Sequence, residues 1–286
     1  MVVRRGTVEE SRHRVHAVAV QDGATVASAG DPELVAFLRS SAKPFQALPL
    51  VRARDDLITE EVAVASASHL ASPEQLAAVR SLLAKAQASE DDLECGPEPT
   101  RIEHNCSGKH AGMLAVCRAH GWPSRDYRLE EHPVQRACLS VIAMAAGLSP
   151  GHVPTAVDGC GVPTWAMPLS RMAVAFSRLE DLEGGATVAA AMRRHPELIR
   201  GPRAADTMLM RAVDGWAAKG GAEGLLCASG PDGVGVALKV EDGTTRATRT
   251  AAAELLRRLG LETGELGVVP LENSRGEVVG EIVAER

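Results

Sequence analysis

An α+β fold, with one antiparallel sheet assembled from both chain ends around a mostly helical middle, is predicted by three features of this 286-residue sequence. The first is a pair of strand patterns near the start, "RHRVHAVAV" and "TVASAG", flanking "QDGA", whose Asp-Gly is a hairpin signal. The second is a group of two or three strand patterns towards the other end, "GLLCASG", "VGVALKV" and "GEVVGEIVA", with the turns "PDG" and "EDG" between them. The third is helical periodicity through the intervening chain. One unit is therefore expected, with residues of approximately 1–58 and 220–286 holding the sheet and approximately 59–219 mostly helical.

Each helix has its punctuation. Ser72, Pro73 at the first helical position and Gln75 three residues on make a capping box ahead of Leu76, Val79, Leu82 and Leu83. "GKHAGMLAVCRAHGWP" closes on Gly121 and Pro123, and "HPVQRACLSVIAMAAGLSP" should run from Pro133 to Gly147. "PRAADTMLMRAVDGWAAKGG" follows as another amphipathic helix candidate, and "TAAAELLRRLG" packs after the last hairpin. The loop "DGCGVPTW" breaks the helical stretches, and its glycines let the backbone turn so as to hold Cys160 toward a site.

Composition narrows the function. A 45% hydrophobic fraction over this length supports a large core. A net charge of -6 with 2% aromatic residues provides neither a basic footprint nor stacking platforms, so no nucleic-acid partner is expected. No segment approaches the roughly 20 apolar residues of a membrane span, so no membrane partner is expected either. "MVVRRGTVEE" lacks the apolar run of an export signal, and a cytoplasmic location with a small-molecule ligand is expected. In that setting Cys95, Cys106, Cys117, Cys138, Cys160 and Cys227 read as thiols or metal ligands rather than a disulfide framework.

Of the 31 basic residues only Lys43, Lys85, Lys109, Lys219 and Lys239 are lysine. Arginine keeps its proton in proteins whereas a buried lysine can lose it, so scarce lysines mark places where a neutral amine is useful. Lys85 and Lys219 are expected on polar helix faces or ends. The other three fall in the segments that look most like chemistry.

In "LRSSAKPFQALPL", Pro44 is tolerated only in the first turn of a helix, which places the helix start near Ser40 or Ser41, in the positive end of the dipole. Residues three apart share a face, so Ser40 can meet Lys43 while Ser41 points elsewhere. A neutral lysine amine can activate a serine hydroxyl, although a lone Ser-x-x-Lys is also what an N-cap serine beside a surface lysine looks like. "IEHNCSGKHAGML" packs Glu103, His104, Cys106, Lys109 and His110 into eight residues. Cys106 and Cys160 could build a thiolate-rich metal site, for which His104 or His110 is the more usual nitrogen ligand than Lys109. Buried unligated cysteines beside surface histidines are the plainer alternative. "CSGKH" is no phosphate loop, since Glu103 stands where its first glycine would be. Lys239 ends the strand pattern "GVGVALKV", where an edge lysine usually guards against aggregation. Two lysines in one pocket would each lower the other's pKa; bringing one from about 10.4 to about 7 corresponds to about 4.6 kcal/mol. "ASASH", with Ser66, Ser68 and His69, reads alone as a loop.

Together "LRSSAKPFQALPL", "ASASH", "EHNCSGKHAGML", "DGCGVPTWAMPL" and "GVALKVEDG" resemble, in order, the asparaginase II family of the rhizobial inducible type. That resemblance implies hydrolysis of L-asparagine on a fold like those of serine β-lactamases, penicillin-binding proteins and glutaminases. By motif match it implies two serine–lysine tandems, Ser40 with Lys43 and Ser68 with Lys239, and a zinc (Zn2+) site of Cys106, Lys109 and Cys160. It also makes His110 and Asp158 neighbours that orient ligands or contact substrate, and suggests a homodimer. Arg39, beside the nucleophile, is expected to take the substrate carboxylate, because a guanidinium fork suits that group. The chain departs from the family where a small polar residue and glycine would follow "ASH": it has Leu70 and Ala71. The rivals are a glutaminase or β-lactam-reactive hydrolase on the same fold, or a metal-dependent binding protein without turnover.

Overall fold

The computed structural model describes residues 1–97 and 99–285. Its central sheet has five antiparallel strands in the order Ala24–Ala29, Val15–Gln21, Val234–Val240, Leu225–Gly230 and Ala217–Gly220. The Asp-Gly hairpin and the "VGVALKV" strand are where alternation puts them, with Val234 paired to Gln21 and Val240 to Val15. Helices Leu169–Ser177 and Thr248–Arg258 both pack across these strands. The sheet thus draws on both ends of the chain, as expected.

Two details differ from the sequence-based expectation. "GEVVGEIVA" does form a strand, Val278–Val283, but it pairs with Val2–Arg5 and Val269–Glu272 in a separate four-stranded sheet completed by Val8–Arg12. The edge place in the central sheet belongs to Ala217–Gly220, which the sequence reading had absorbed into a helix. That helix spans only Ala205–Ala212. Gly215, at φ 80°, then turns the chain in a conformation open to glycine, and Trp216 onward runs extended. Trp216 fits because Gly230 opposite has no side chain; a Cβ there would come within 2.5 Å of the indole. Lys219 is consequently a fully buried strand residue rather than a residue at a polar helix end.

The helical part follows its punctuation. Ser72 Oγ accepts from Gln75 N at 3.3 Å while Gln75 Oε1 accepts from Ser72 N at 2.9 Å, and the helix Pro73–Ala86 follows. Helices Ser107–His120 and Pro133–Ala146 end at Gly121 and Gly147. The start of Ser107–His120 abuts helix Thr59–Ala65 so closely that a Cβ at Gly108 would lie 2.2 Å from the Val64 carbonyl oxygen. Glycine in "CSGKH" therefore serves backbone approach, which brings Cys106 and Lys109 to the loop before Ser68. Strands Val35–Phe37, Pro163–Pro168 and Thr155–Val157 form a third small sheet that carries the Asp158–Cys160 loop. Among the described residues no helix is long and apolar enough to cross a membrane.

Candidate active site

The turn Arg39–Ala42 leads straight into helix Lys43–Gln46, with Pro44 in its first turn as its missing N–H requires. Arg39 sits at φ 49°, a left-handed conformation costing a non-glycine residue roughly 1–2 kcal/mol, and Thr164 Oγ1 accepts its backbone N–H at 3.0 Å. The strain falls on the residue just before Ser40. Ser41 is structural, as its spacing implied: it is buried and its hydroxyl donates to the Lys219 carbonyl at 2.9 Å.

Lys43 is fully buried, and burial holds its pKa below the ordinary lysine value. Its Nζ reaches three oxygens: the Ala67 carbonyl at 2.5 Å, Ser68 Oγ at 2.9 Å and the Asn105 carbonyl at 3.5 Å. Among the described residues no hydrogen bond joins Ser40 to Lys43. The tandem that the structure closes is Lys43 with Ser68, across segments 24 to 25 residues apart. Carbonyls can only accept, so of these three partners the Ser68 hydroxyl alone can give Lys43 a proton.

Lys239 does not join this cluster. It lies two strands in from the edge that Lys219 occupies, about 10 Å by strand spacing, and donates to the Val240 carbonyl at 2.6 Å. Its electrostatic neighbours are Glu223, Asp242 and Glu241. The second lysine near Lys43 is Lys219, on the edge strand. Its Nζ donates to the Gly220 carbonyl at 2.7 Å and pairs with Asp206 Oδ2 at 3.3 Å, and burial, opposed by Asp206 and aided by Lys43, lowers its pKa to about 8. The like-charge argument made for Lys239 thus applies to Lys219. The signal for it was the Asp214-Gly215 turn inside the supposed helix, followed by a short segment ahead of "GGAEG".

Cys106, Lys109 and Cys160 do converge. Lys109 Nζ is 3.0 Å from Cys160 Sγ, and a hydrogen bond from Cys106 with the Lys109 charge pulls the Cys160 thiol down to about 4 despite its burial. Burial opposes the Lys109 ammonium, but the two sulfurs outweigh it and hold its pKa above the ordinary value. His104 Nδ1 accepts the Cys106 backbone N–H at 3.1 Å, just ahead of the helix. His110 Nδ1 bonds Tyr127 OH at 2.8 Å, its Nε2 is buried without a partner among the described residues, and burial keeps the ring well below its ordinary pKa. No group of three or more His, Cys, Asp and Glu able to hold a metal occurs among the described residues, so a metal here depends on Lys109. Two thiols and one amine suit a zinc ion with one open position, provided Lys109 gives up its proton.

A cavity of about 550 Å³ opens on Ser40 and is lined by Asn105, Asp206, Gly220, Gly221, Arg200 and Arg203 among others. Arg39, expected to bind substrate there, is instead bonded to Asp158, Nε to Oδ1 at 2.6 Å. The Asp158 carboxyl stays below its usual range because Lys109 and Arg39 outweigh burial. Those two residues hold the Asp158–Cys160 loop against the serine turn. Leu70 is 65% exposed, Ala71 adopts φ 59°, and a Cβ at Gly201 would meet the Leu70 side chain at 2.7 Å.

A buried lysine on a serine hydroxyl, in a cleft between helices and an antiparallel sheet edge, belongs with the α+β fold of the serine β-lactamase kind. The profile of the L-asparaginase II family matches residues 1–284, and the chain belongs to that family. Among solved structures it is similar to Mglu in its native form, with TM-score 0.52 and 14% identity over 88% of this chain and 65% of that one. Mglu in its L-glutamate binding form matches at TM-score 0.52 and 14% identity, over 90% of this chain and 62% of that one. The chain therefore spans less than two thirds of the Mglu chain. No curated protein matches it.

Proposed function

We propose that this chain hydrolyses the side-chain amide of L-asparagine to L-aspartate and ammonia by acyl transfer through a serine. The observation that carries this reading is Lys43: a buried amine with two carbonyls, one serine hydroxyl and no carboxylate around it, one residue turn from a serine that lines a cavity. A neutral amine there donates two N–H bonds to the carbonyls and keeps its lone pair for a hydroxyl proton.

Ser40 attacks the amide carbon, forming the O–C bond as its proton passes to the Lys43 amine. The C–N bond then breaks, ammonia leaves with a proton returned by Lys43 through Ser68, and water hydrolyses the aspartyl ester. Lys219 takes the role first given to Lys239, adding positive potential beside Lys43. The Arg39–Asp158 pair holds the Asp158–Cys160 loop against the serine turn. Zinc, where bound, would be held by Cys106, Lys109 and Cys160 and would supply a Lewis acid there.

A coupled ammonia assay over asparagine, glutamine and a β-lactam, with and without zinc or chelator, separates an asparaginase from a glutaminase or a β-lactam-reactive hydrolase. Ser40→Ala should abolish ammonia release, and wild-type release from that variant would refute the nucleophile. Mass spectrometry of a trapped acyl-enzyme distinguishes Ser40 from Ser68. Ligand and zinc binding without ammonia release would identify a binding protein instead.

A further inference from the structure

Four arginines line the cavity on which Ser40 opens: Arg200, Arg203, Arg246 and Arg249. Among the described residues the only acidic one on that wall, Asp206, is occupied by Lys219 and by the Gly220 backbone N–H at 3.0 Å. Two of the arginines are committed elsewhere. Arg246 donates to His13 Nε2 at 2.9 Å and Ser11 Oγ at 2.8 Å, and Arg249 to the Glu265 and Val268 carbonyls at 3.1 and 3.2 Å. Arg200 and Arg203 make no side-chain hydrogen bond and no ion pair with any described residue. Each keeps its guanidinium free on a wall with no spare carboxylate.

Arg200 is also held in place by its backbone. The Ser68 N–H donates to the Ile199 carbonyl at 2.7 Å, immediately before it. The Gln75 side-chain amide donates to the carbonyls of Glu197, Leu198 and Arg200 at 2.9, 3.4 and 3.1 Å. The capping residue of helix Pro73–Ala86 therefore clamps the segment that joins Arg200 to Ser68, and Gly201 beyond it lies against Leu70. A guanidinium without a carboxylate, on a backbone held one residue from a serine-bonded carbonyl, is suited to bidentate recognition of a ligand carboxylate. Arg39 is less suited, since its Nε already pairs with Asp158 Oδ1.

We propose that Arg200, with Arg203 beside it, is the specificity-determining carboxylate subsite of this cavity, so that the substrate class is a small amide bearing a free carboxylate. This rests on the amidohydrolase reading above. The cavity is far roomier than the nine heavy atoms of asparagine need, so the subsite selects for charge more than for length.

The test compares L-asparagine with β-alaninamide, the same amide lacking the α-carboxylate, in wild-type protein, Arg200→Gln and Arg203→Gln. Losing a charge-assisted contact is worth about tenfold to about a hundredfold. The expected result is that Arg200→Gln lowers the ratio of kcat/KM for asparagine to that for β-alaninamide by at least about tenfold, mainly through KM, with a smaller drop for Arg203→Gln. A merely structural role would lower both substrates together and leave the ratio unchanged, which overturns the proposal. A second readout needs no turnover: L-aspartate binding by calorimetry should weaken at least about tenfold in Arg200→Gln and little in Arg246→Gln, whose guanidinium is already committed. If wild-type protein releases no ammonia from any amide yet shows this binding pattern, the amidohydrolase reading fails and the carboxylate subsite stands. Aspartate binding equal in wild type and Arg200→Gln overturns the subsite.

Discussion

Lys43 and Lys219 are both fully buried lysines beside one cleft, yet they are built oppositely. Lys43 comes from the helical side and donates to carbonyls and the Ser68 hydroxyl, with the Cys106 and Cys160 thiols nearby and no carboxylate. Lys219 comes from the sheet edge and pairs with the buried Asp206. The difference teaches how one fold sets up two amines: the lysine without a counter-ion is the one able to exchange a proton, and the paired lysine fixes position and potential.

The largest expected effect comes from erasing that asymmetry at Lys43. Lys43→Met should lower kcat for asparagine by about 10³-fold or more, while thermal unfolding stays close to wild type because an apolar chain of similar length fills the same space. A variant that unfolds instead would mean the amine is structural. Next in size, Asp206→Ala strands the Lys219 charge in the interior and should cost on the order of 3–5 kcal/mol in denaturant unfolding. Doing the same in a Lys219→Met background should cost far less, and equal costs would show that the two residues are not coupled.

The third effect is a pH dependence whose sign follows from Lys219. Its folded pKa of about 8 lies below the ordinary value of 10.5, so the unfolded chain binds the extra proton between those values. The stability this group contributes is full above 10.5 and is lost as pH falls toward 8, below which it is flat. Wild type measured against Lys219→Met should therefore gain on the order of 3 kcal/mol between pH 8 and 10.5. A difference that is constant across that window would mean Lys219 titrates normally. The smallest effect touches neither lysine. Ala71 holds φ 59°, so Ala71→Gly should raise stability by about 1 kcal/mol and leave the contrast between Lys43 and Lys219 intact.

Much of this was legible along the chain. The Ser72–Gln75 cap, the Gly121 and Gly147 stops and the Asp-Gly hairpin are local devices, satisfied by residues within a few positions of one another. Cys106, Lys109 and Cys160 were brought together by resemblance where spacing alone preferred a histidine, and the structure shows them converging while His104 accepts the Cys106 backbone N–H. Lys219 was missed because "PRAADTMLMRAVDGWAAKGG" has helical composition throughout, and what ends the helix at Ala212 is the sheet edge waiting for Ala217–Gly220 to pair with Leu225–Gly230. Arg39 was chosen because a sequence neighbour of Ser40 looks close to the chemistry. Asp158, 119 residues away, claims it.

By itself, then, the sequence determined the element types, the helix boundaries set by caps and glycines, the Ser40–Pro44 turn and the family. Those depend on backbone geometry and hydrogen bonds over a few residues. Only the tertiary structure decided which lysine meets which serine, that Ser68 rather than Ser40 bonds Lys43, and that Arg200 rather than Arg39 keeps a free guanidinium. Partner choice among buried charges is set by which groups share the low-dielectric interior, and chain spacing carries no record of that.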